Sequence, residues 1–212
     1  MNSLIAARII PHPGNPSNSF NLFNLFLILA LLFGASAGAQ ELLKNGNFES
    51  PFPGTDPTNN WTLVYVDGGP GDFAIAGQST EASTSGGGRG AHIRPNNFNF
   101  AHAYFRQVVT NVTEGATYQL TCKKMQAGFQ NYVDAGKLQV YMVAISGSTT
   151  NVVYGNADVV GPYSLTITAE TSRKIEVQLH LWKSVMSNES SEDMKHAKCS
   201  GWFDDFSLTQ VP

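Results

Sequence analysis

The sequence predicts an all-β chain, an antiparallel β-sandwich of jelly-roll type, on three observations. Apolar and polar residues alternate in short runs between residues 61 and 208, the period of a half-buried strand, and no segment carries a 3.6-residue period. Clusters of Gly, Pro, Asn and Ser interrupt these runs at close intervals, as turns between strands do. The runs number nine or ten and show neither an internal repeat nor a linker, so they fill one domain.

In chain order, residues 1–39 read as a signal peptide. Residues 25–35 are an unbroken apolar run, Arg8 is the charge ahead of it, and Ala37-Gly38-Ala39 supplies a small-x-small cleavage pattern. A spanning helix needs about 20 apolar residues, so the run is too short for an anchor. Residues 40–212 are then one exported domain, secreted and without a membrane contact after cleavage. Leu42-Leu43 suits the start of a strand, and Asn45-Gly46-Asn47 signals a tight turn with a ready positive-φ position. A Pro/Gly/Asn loop over 50–60 leads to a strand at 61–67, stopped by Gly68-Gly69-Pro70-Gly71. Short strands follow at 73–76 and 91–94, the second cut by Pro95, with a Ser/Thr/Gly loop between them. Residues 103–110 and 117–125 form a hairpin through Glu114-Gly115; 138–146 and 152–154 form another pair. Strands at 163–168 and 174–182, a polar loop over 187–195 and a closing strand at 201–208 complete the chain.

Composition narrows the partners. The formal net charge is −3 and charged residues make up 14%, which argues against nucleic acid and anionic membranes. Cys122 and Cys199 are the two cysteines, and in an oxidising compartment a bridge between them is the simple expectation. Closing so long a loop would stabilise the fold by roughly 4 kcal/mol on the chain-entropy model.

Alternation assigns faces. Leu138, Val140, Met142 and Ala144 point inward, leaving Gln139, Tyr141 and Val143 outside. Ile175, Val177, Leu179 and Leu181 fill the core, so Glu176, Gln178, His180 and Trp182 face out. Ile93 inward leaves His92 and Arg94 outside; Phe105 and Val109 inward leave Tyr104 and Arg106 outside. Pyranose rings present C–H patches that stack on aromatic faces, and their hydroxyls need amide, guanidinium or imidazole partners. Tyr104, Arg106, Tyr141, His180 and Trp182, assisted by Arg94 and Gln139, are therefore the candidate carbohydrate contacts. The competing reading is ordinary outward residues scattered over both sheets.

Three motifs carry a family resemblance. Leu43-x-Asn45-Gly46-Asn47-Phe48-Glu49 opens the domain; Tyr104-Phe105-Arg106-Gln107 and Gly115-Ala116-Thr117-Tyr118-Gln119-Leu120 lie midway; Phe203-Asp204-Asp205-Phe206-Ser207-Leu208 closes it. In this order they resemble the CenC-like carbohydrate-binding modules of the galactose-binding-domain-like superfamily. The loops at 68–71 and 86–90 depart from the pattern. The resemblance implies a structural calcium ion (Ca2+) where first and last strands meet, with Glu49 and one acid of the Asp204/Asp205 pair as side-chain ligands. Calcium takes hard oxygen donors and tolerates carbonyls. Strict alternation lets only one of two adjacent acids point at an ion, and Asp204, sharing parity with Phe206 and Leu208, is the inward candidate.

Catalysis is not expected. Asp204 and Asp205 cannot flank a glycosidic bond from within one strand, since that chemistry needs carboxylates about 5–9 Å apart across a substrate. Gly86-Gly87-Gly88-Arg89-Gly90 lacks the Lys-Ser/Thr of a phosphate loop, His196-x-x-Cys199 is a zinc fragment without partners, and no nucleophile elbow is present. The expectation is a secreted non-catalytic module for a β-glucan- or xylan-like polysaccharide. The alternative is a secreted structural or adhesion module of the same fold with a protein or matrix partner. Either could serve within a larger extracellular assembly.

Overall fold

The computed structural model describes residues 40–212 except 59, 85–87, 97–99 and 185–198. Ten strands form two antiparallel sheets: β1 (Thr62–Asp67), β2 (Phe73–Ser79), β3 (Gly90–Pro95), β4 (Ala101–Thr110), β5 (Thr117–Ala127), β6 (Leu138–Ser146), β7 (Thr149–Gly155), β8 (Tyr163–Thr168), β9 (Lys174–Lys183) and β10 (Gly201–Gln210). The front sheet runs β1-β4-β9-β6-β7 and the back sheet β2-β3-β10-β5-β8. One short helix, α1 (Gln130–Asp134), interrupts the connection from β5 to β6; five residues are too few to show a helical period in sequence.

The faces assigned from alternation are the faces observed. Leu138, Val140, Met142 and Ala144 of β6 and Ile175, Val177, Leu179 and Leu181 of β9 have no exposed surface. They meet Ile93, Leu120, Met125, Phe203 and Leu208 of the back sheet in one apolar core. Removing from water the apolar surface of so many large side chains is what drives the two sheets together.

The two ends of the described domain are clasped at one seam. The Leu42 N–H donates to the Leu208 carbonyl at 3.0 Å, and the Phe206 N–H donates to the Gly46 carbonyl at 2.9 Å. Leu42-Leu43 is nonetheless not a strand start: the stretch is extended and turns at once through residues 44–47. The left-handed positions of this turn are Asn45 (φ 52°) and Phe48 (φ 54°), whereas Gly46 is required by close approach, since a Cβ there would collide with the Phe206 carbonyl. Phe48 packs against Trp61 (5.3 Å between centroids) and Phe206 (6.2 Å), and the buried Trp61 indole donates to the Asn45 carbonyl at 3.1 Å. Aromatic area and a satisfied donor together close this end of the sandwich.

The expected disulfide is not formed: Cys122 and Cys199 are both buried and are not bonded to each other. Register explains it. Cys122 pairs with Phe206 near the middle of β5, while Cys199 precedes Gly201, which pairs with Ala127 at the end of that strand. Five residues along a strand span about 17 Å, far beyond the roughly 7 Å that a bridge tolerates between Cα atoms. Burial pushes the Cys122 thiol up to about 12, so it stays protonated.

Candidate carbohydrate-binding face

Register brings most of the predicted contacts into one patch on the outer face of the front sheet. Tyr104 of β4 pairs with His180 of β9, His180 with Tyr141 of β6, and Tyr141 with Tyr154 of β7. One row towards the β9 C-terminus, His102 pairs with Trp182 and Trp182 with Gln139; one row the other way, Arg106 pairs with Gln178. The side chains across each row stand on the same face, so the rows form a plane of rings and polar tips.

The four rings of the central row form a ladder across the strands. Tyr104 and His180 stack at 4.4 Å and 27°, His180 and Tyr141 at 4.4 Å and 7°, and Tyr154 tilts against Tyr141 at 5.2 Å and 44°. The stacking alters the expected roles. His180 is only 6% exposed, with both ring faces covered, so it braces the two tyrosines and offers no face on which a sugar could stack. Tyr154, at 59% exposed, has the ring most open to solvent. Trp182 is half-buried, with Phe100 edge-on to it at 5.4 Å.

A directional hydrogen-bond chain runs under the rings. The Glu176 carboxylate can only accept, so the Gln178 amide turns its NH2 towards it (2.6 Å) and its oxygen towards His180 Nε2 (2.7 Å). His180 Nε2 therefore carries the proton, and His180 Nδ1 accepts from His102 Nε2 at 3.0 Å. The Tyr141 hydroxyl lies 3.3 Å from His102 Nε2, with its own proton free to donate outward. Burial, reinforced by His102, holds the His180 imidazole down at about 3, and burial lowers His102 against the opposing charge of Asp67. Both rings are neutral at pH 7. Arg106 pairs with Glu176 at 3.8 Å, which leaves the patch nearly uncharged.

Arg94 is not part of this patch. It lies on β3 of the back sheet, on the far side of the sandwich from Tyr104 and Tyr141. Alternation gives a residue its side of a strand but not the sheet to which that strand belongs. Conversely, Tyr154 and His102 belong to the patch and escape the sequence reading. His102 lies ahead of the strand expected from residue 103, since β4 begins at Ala101; Tyr154 lies within the expected strand 152–154, where three residues are too few for alternation to assign a face.

The acids expected to hold a metal lie at the seam. Phe203 and Phe206 both enter the core, so alternation slips between them, at a left-handed Asp205 (φ 53°). Asp204 thus does not share the side of Phe206, and both acids meet one residue: the Thr84 hydroxyl lies 3.0 Å from Asp204 and 2.7 Å from Asp205. The Thr84 N–H also donates to Asp204 at 2.6 Å, while the Arg89 N–H donates to Glu49 at 3.0 Å. Asp204 therefore holds Thr84, and Glu49 holds Arg89. Asp205 is paired with the Lys123 ammonium at 3.1 Å, so it is the poorer candidate for a cation. Burial raises Asp204, opposed by its hydrogen bonds. Among the described residues, no three His, Cys, Asp or Glu side chains converge on a metal.

A Ser-His-Glu trio does occur behind the back sheet: Ser200 Oγ lies 2.9 Å from His92 Nε2, and Glu81 is 3.6 Å from Nδ1. Neither Ser200 nor His92 has exposed surface, and burial lowers His92 to about 3. A nucleophile without access to substrate carries no reaction.

No protein-family model matches the sequence, and no curated protein matches it. Solved structures do match the fold. TmCBM61, solved in complex with β-1,4-galactotriose, aligns over 82% of this chain and 100% of its own at a TM-score of 0.52 and 12% identity. The CBM22-1 xylan-binding domain of Paenibacillus barcinonensis Xyn10C aligns over 82% and 96% at a TM-score of 0.46 and 13% identity. A putative sugar binding protein from Bacteroides thetaiotaomicron aligns over 81% and 100% at 0.42 and 14%. At such identities the likeness is one of architecture: the chain shares the antiparallel β-sandwich fold of TmCBM61.

Proposed function

We propose that the chain is a secreted, non-catalytic carbohydrate-binding module that takes a polysaccharide on the outer face of the front sheet. The observation that carries this reading is the ladder Tyr104–His180–Tyr141–Tyr154 with Trp182 beside it, rings and polar tips on one face. Strands lie about 4.8 Å apart, so a chain laid across β4, β9, β6 and β7 would pass over the tyrosines of β4, β6 and β7, with the covered His180 bracing them from β9. Tyr154, Trp182 and the outer side of Tyr104 would stack on sugar C–H faces; Tyr141, Gln139 and Arg106 would serve hydroxyls. The fold shared with TmCBM61, which holds a β-1,4-galactotriose, supports the substrate class, and the three sequence motifs support the CenC-like assignment within it. The net charge and the ion-paired Arg106 suit a neutral glycan such as a β-glucan or xylan.

A calcium ion at the seam, held by Glu49 and Asp204 with backbone carbonyls, is part of the proposal. The donors are hard oxygens that also accept from the Thr84 and Arg89 backbone, and the ion would fasten those two residues to the seam without touching the binding face. Retention on insoluble β-glucan, xylan and galactan, with and without chelator, tests both parts. Expected is retention that Trp182→Ala abolishes, with chelator lowering the melting temperature. Undiminished retention of Trp182→Ala would move the ligand off this face, and melting indifferent to chelator would remove the ion.

A further inference from the structure

We propose that His102 and His180, together with Tyr141, form a binding site for one divalent transition-metal ion of the Cu2+ or Ni2+ type. The site is distinct from the seam and does not depend on the carbohydrate reading. Its donors come from three adjacent strands. His102 Nε2 and His180 Nδ1 lie 3.0 Å apart, and the Tyr141 oxygen is 3.3 Å from His102 Nε2. Two imidazoles bonded to one ion at 2.0–2.1 Å are about 2.9 Å apart when the bonds are at right angles and about 3.3 Å apart in a tetrahedron. The observed spacing fits the right-angled case, with the ion to one side of the line joining the two nitrogens. Tetragonal nitrogen and oxygen sites favour Cu2+ and Ni2+ over Zn2+.

The protonation pattern suits the ion as well as the distance does. Gln178 keeps the His180 proton on Nε2, at 2.7 Å, and so leaves Nδ1 with its lone pair. Outer-shell partners of this kind fix the ligating tautomer of metal-bound histidines. His102 must shift its one proton from Nε2 to Nδ1 to ligate; its register partner on β1 is Asp67. No proton is then lost from either imidazole. The groups facing the pair are Asp67 from β1, Tyr104 from β4 and Tyr141 from β6, none of them cationic, while Arg106 is held by Glu176. The remaining coordination positions face outward and would carry water.

The test uses the purified chain without an affinity tag, titrated with CuCl2 and NiCl2 by calorimetry, with EPR of the copper-loaded protein. Expected are one equivalent bound, hyperfine coupling to two nitrogens, and a melting temperature that rises with ion concentration. His102→Gln and His180→Gln should each lower affinity by about ten-fold or more. Should His180→Gln fail to fold, the half-exposed His102→Gln still decides. Trp182→Ala should leave ion binding unchanged while removing retention on polysaccharide, which separates this proposal from the previous one. Absence of one-to-one binding, or full affinity in His102→Gln, would overturn it.

Discussion

The outer faces of the two sheets began as equivalents in the sequence and ended as opposites in the structure. Each strand sends polar and aromatic residues outward, yet the front sheet leaves Tyr104, Tyr141, Tyr154 and Trp182 at least partly open, whereas the back sheet buries His92 completely and Asp204 almost so. The difference is made by loops. The turn Thr80–Ala82 and Thr84 lie over β3 and β10, and Lys124 donates to the Glu81 carbonyl at 3.0 Å, roofing the back sheet. An outward side chain is available to a ligand only where no connection crosses above it.

The largest expected effect tests that contrast directly. Tyr154→Ala or Trp182→Ala should abolish polysaccharide retention, while Trp202→Phe on the back sheet should leave it at the level of the unaltered protein. Equal losses in a pull-down would erase the distinction between the faces. Next comes the seam that holds both sheets: Gly46→Ala forces a methyl against the Phe206 carbonyl and should cost roughly 2–3 kcal/mol by urea unfolding. A full loss of cooperativity or no change would each show that the seam is not the rigid element described.

Acid should weaken the fold through one histidine of each face. His180 and His92 fall from 6.5 to about 3 on folding, because burial opposes their charge. Above pH 6.5 both states are neutral and no contribution exists; as pH falls from 6.5 towards 3 the unfolded chain binds protons that the folded one refuses, and stability drops. At pH 5 the loss is about 2 kcal/mol for each ring. His180→Gln should flatten half of this dependence, read as melting temperature against pH; an unchanged slope would place the titration elsewhere. The smallest effect concerns the two buried thiols, Cys122 on β5 and Cys199 just ahead of β10: reducing agent should leave the melting temperature unchanged, and both thiols should react with Ellman's reagent only after unfolding.

How much of this was legible in the sequence follows from the range of each interaction. Alternation is local, so the strands and the inward residues of β6 and β9 could be read directly, as could the partnership of Tyr104, Tyr141, His180 and Trp182 on outward sides. Sheet membership is set by contacts between distant segments, and so Arg94 was grouped with residues a sandwich away. The Cys122–Cys199 pairing failed for the same reason, since redox logic knows nothing of strand register. The Asp204/Asp205 parity rule failed at a single left-handed residue, a conformation that Asp adopts without any signal in its neighbours. The stacking that hides His180 could not be read at all, because it requires the order β4-β9-β6-β7.

The clasp between Leu42 and Leu208 has a topological consequence. The last strand, β10, lies at the centre of its sheet, flanked by β3 and β5, and the segment leading into the domain lies against its end. A short peptide joining the two ends would turn the domain into a ring that can be opened anew at the exposed Glu114-Gly115 corner, giving a circular permutant with the same sandwich. Cutting into β10 instead would split the back sheet through its middle, so the domain tolerates rewiring of its ends far better than trimming of them.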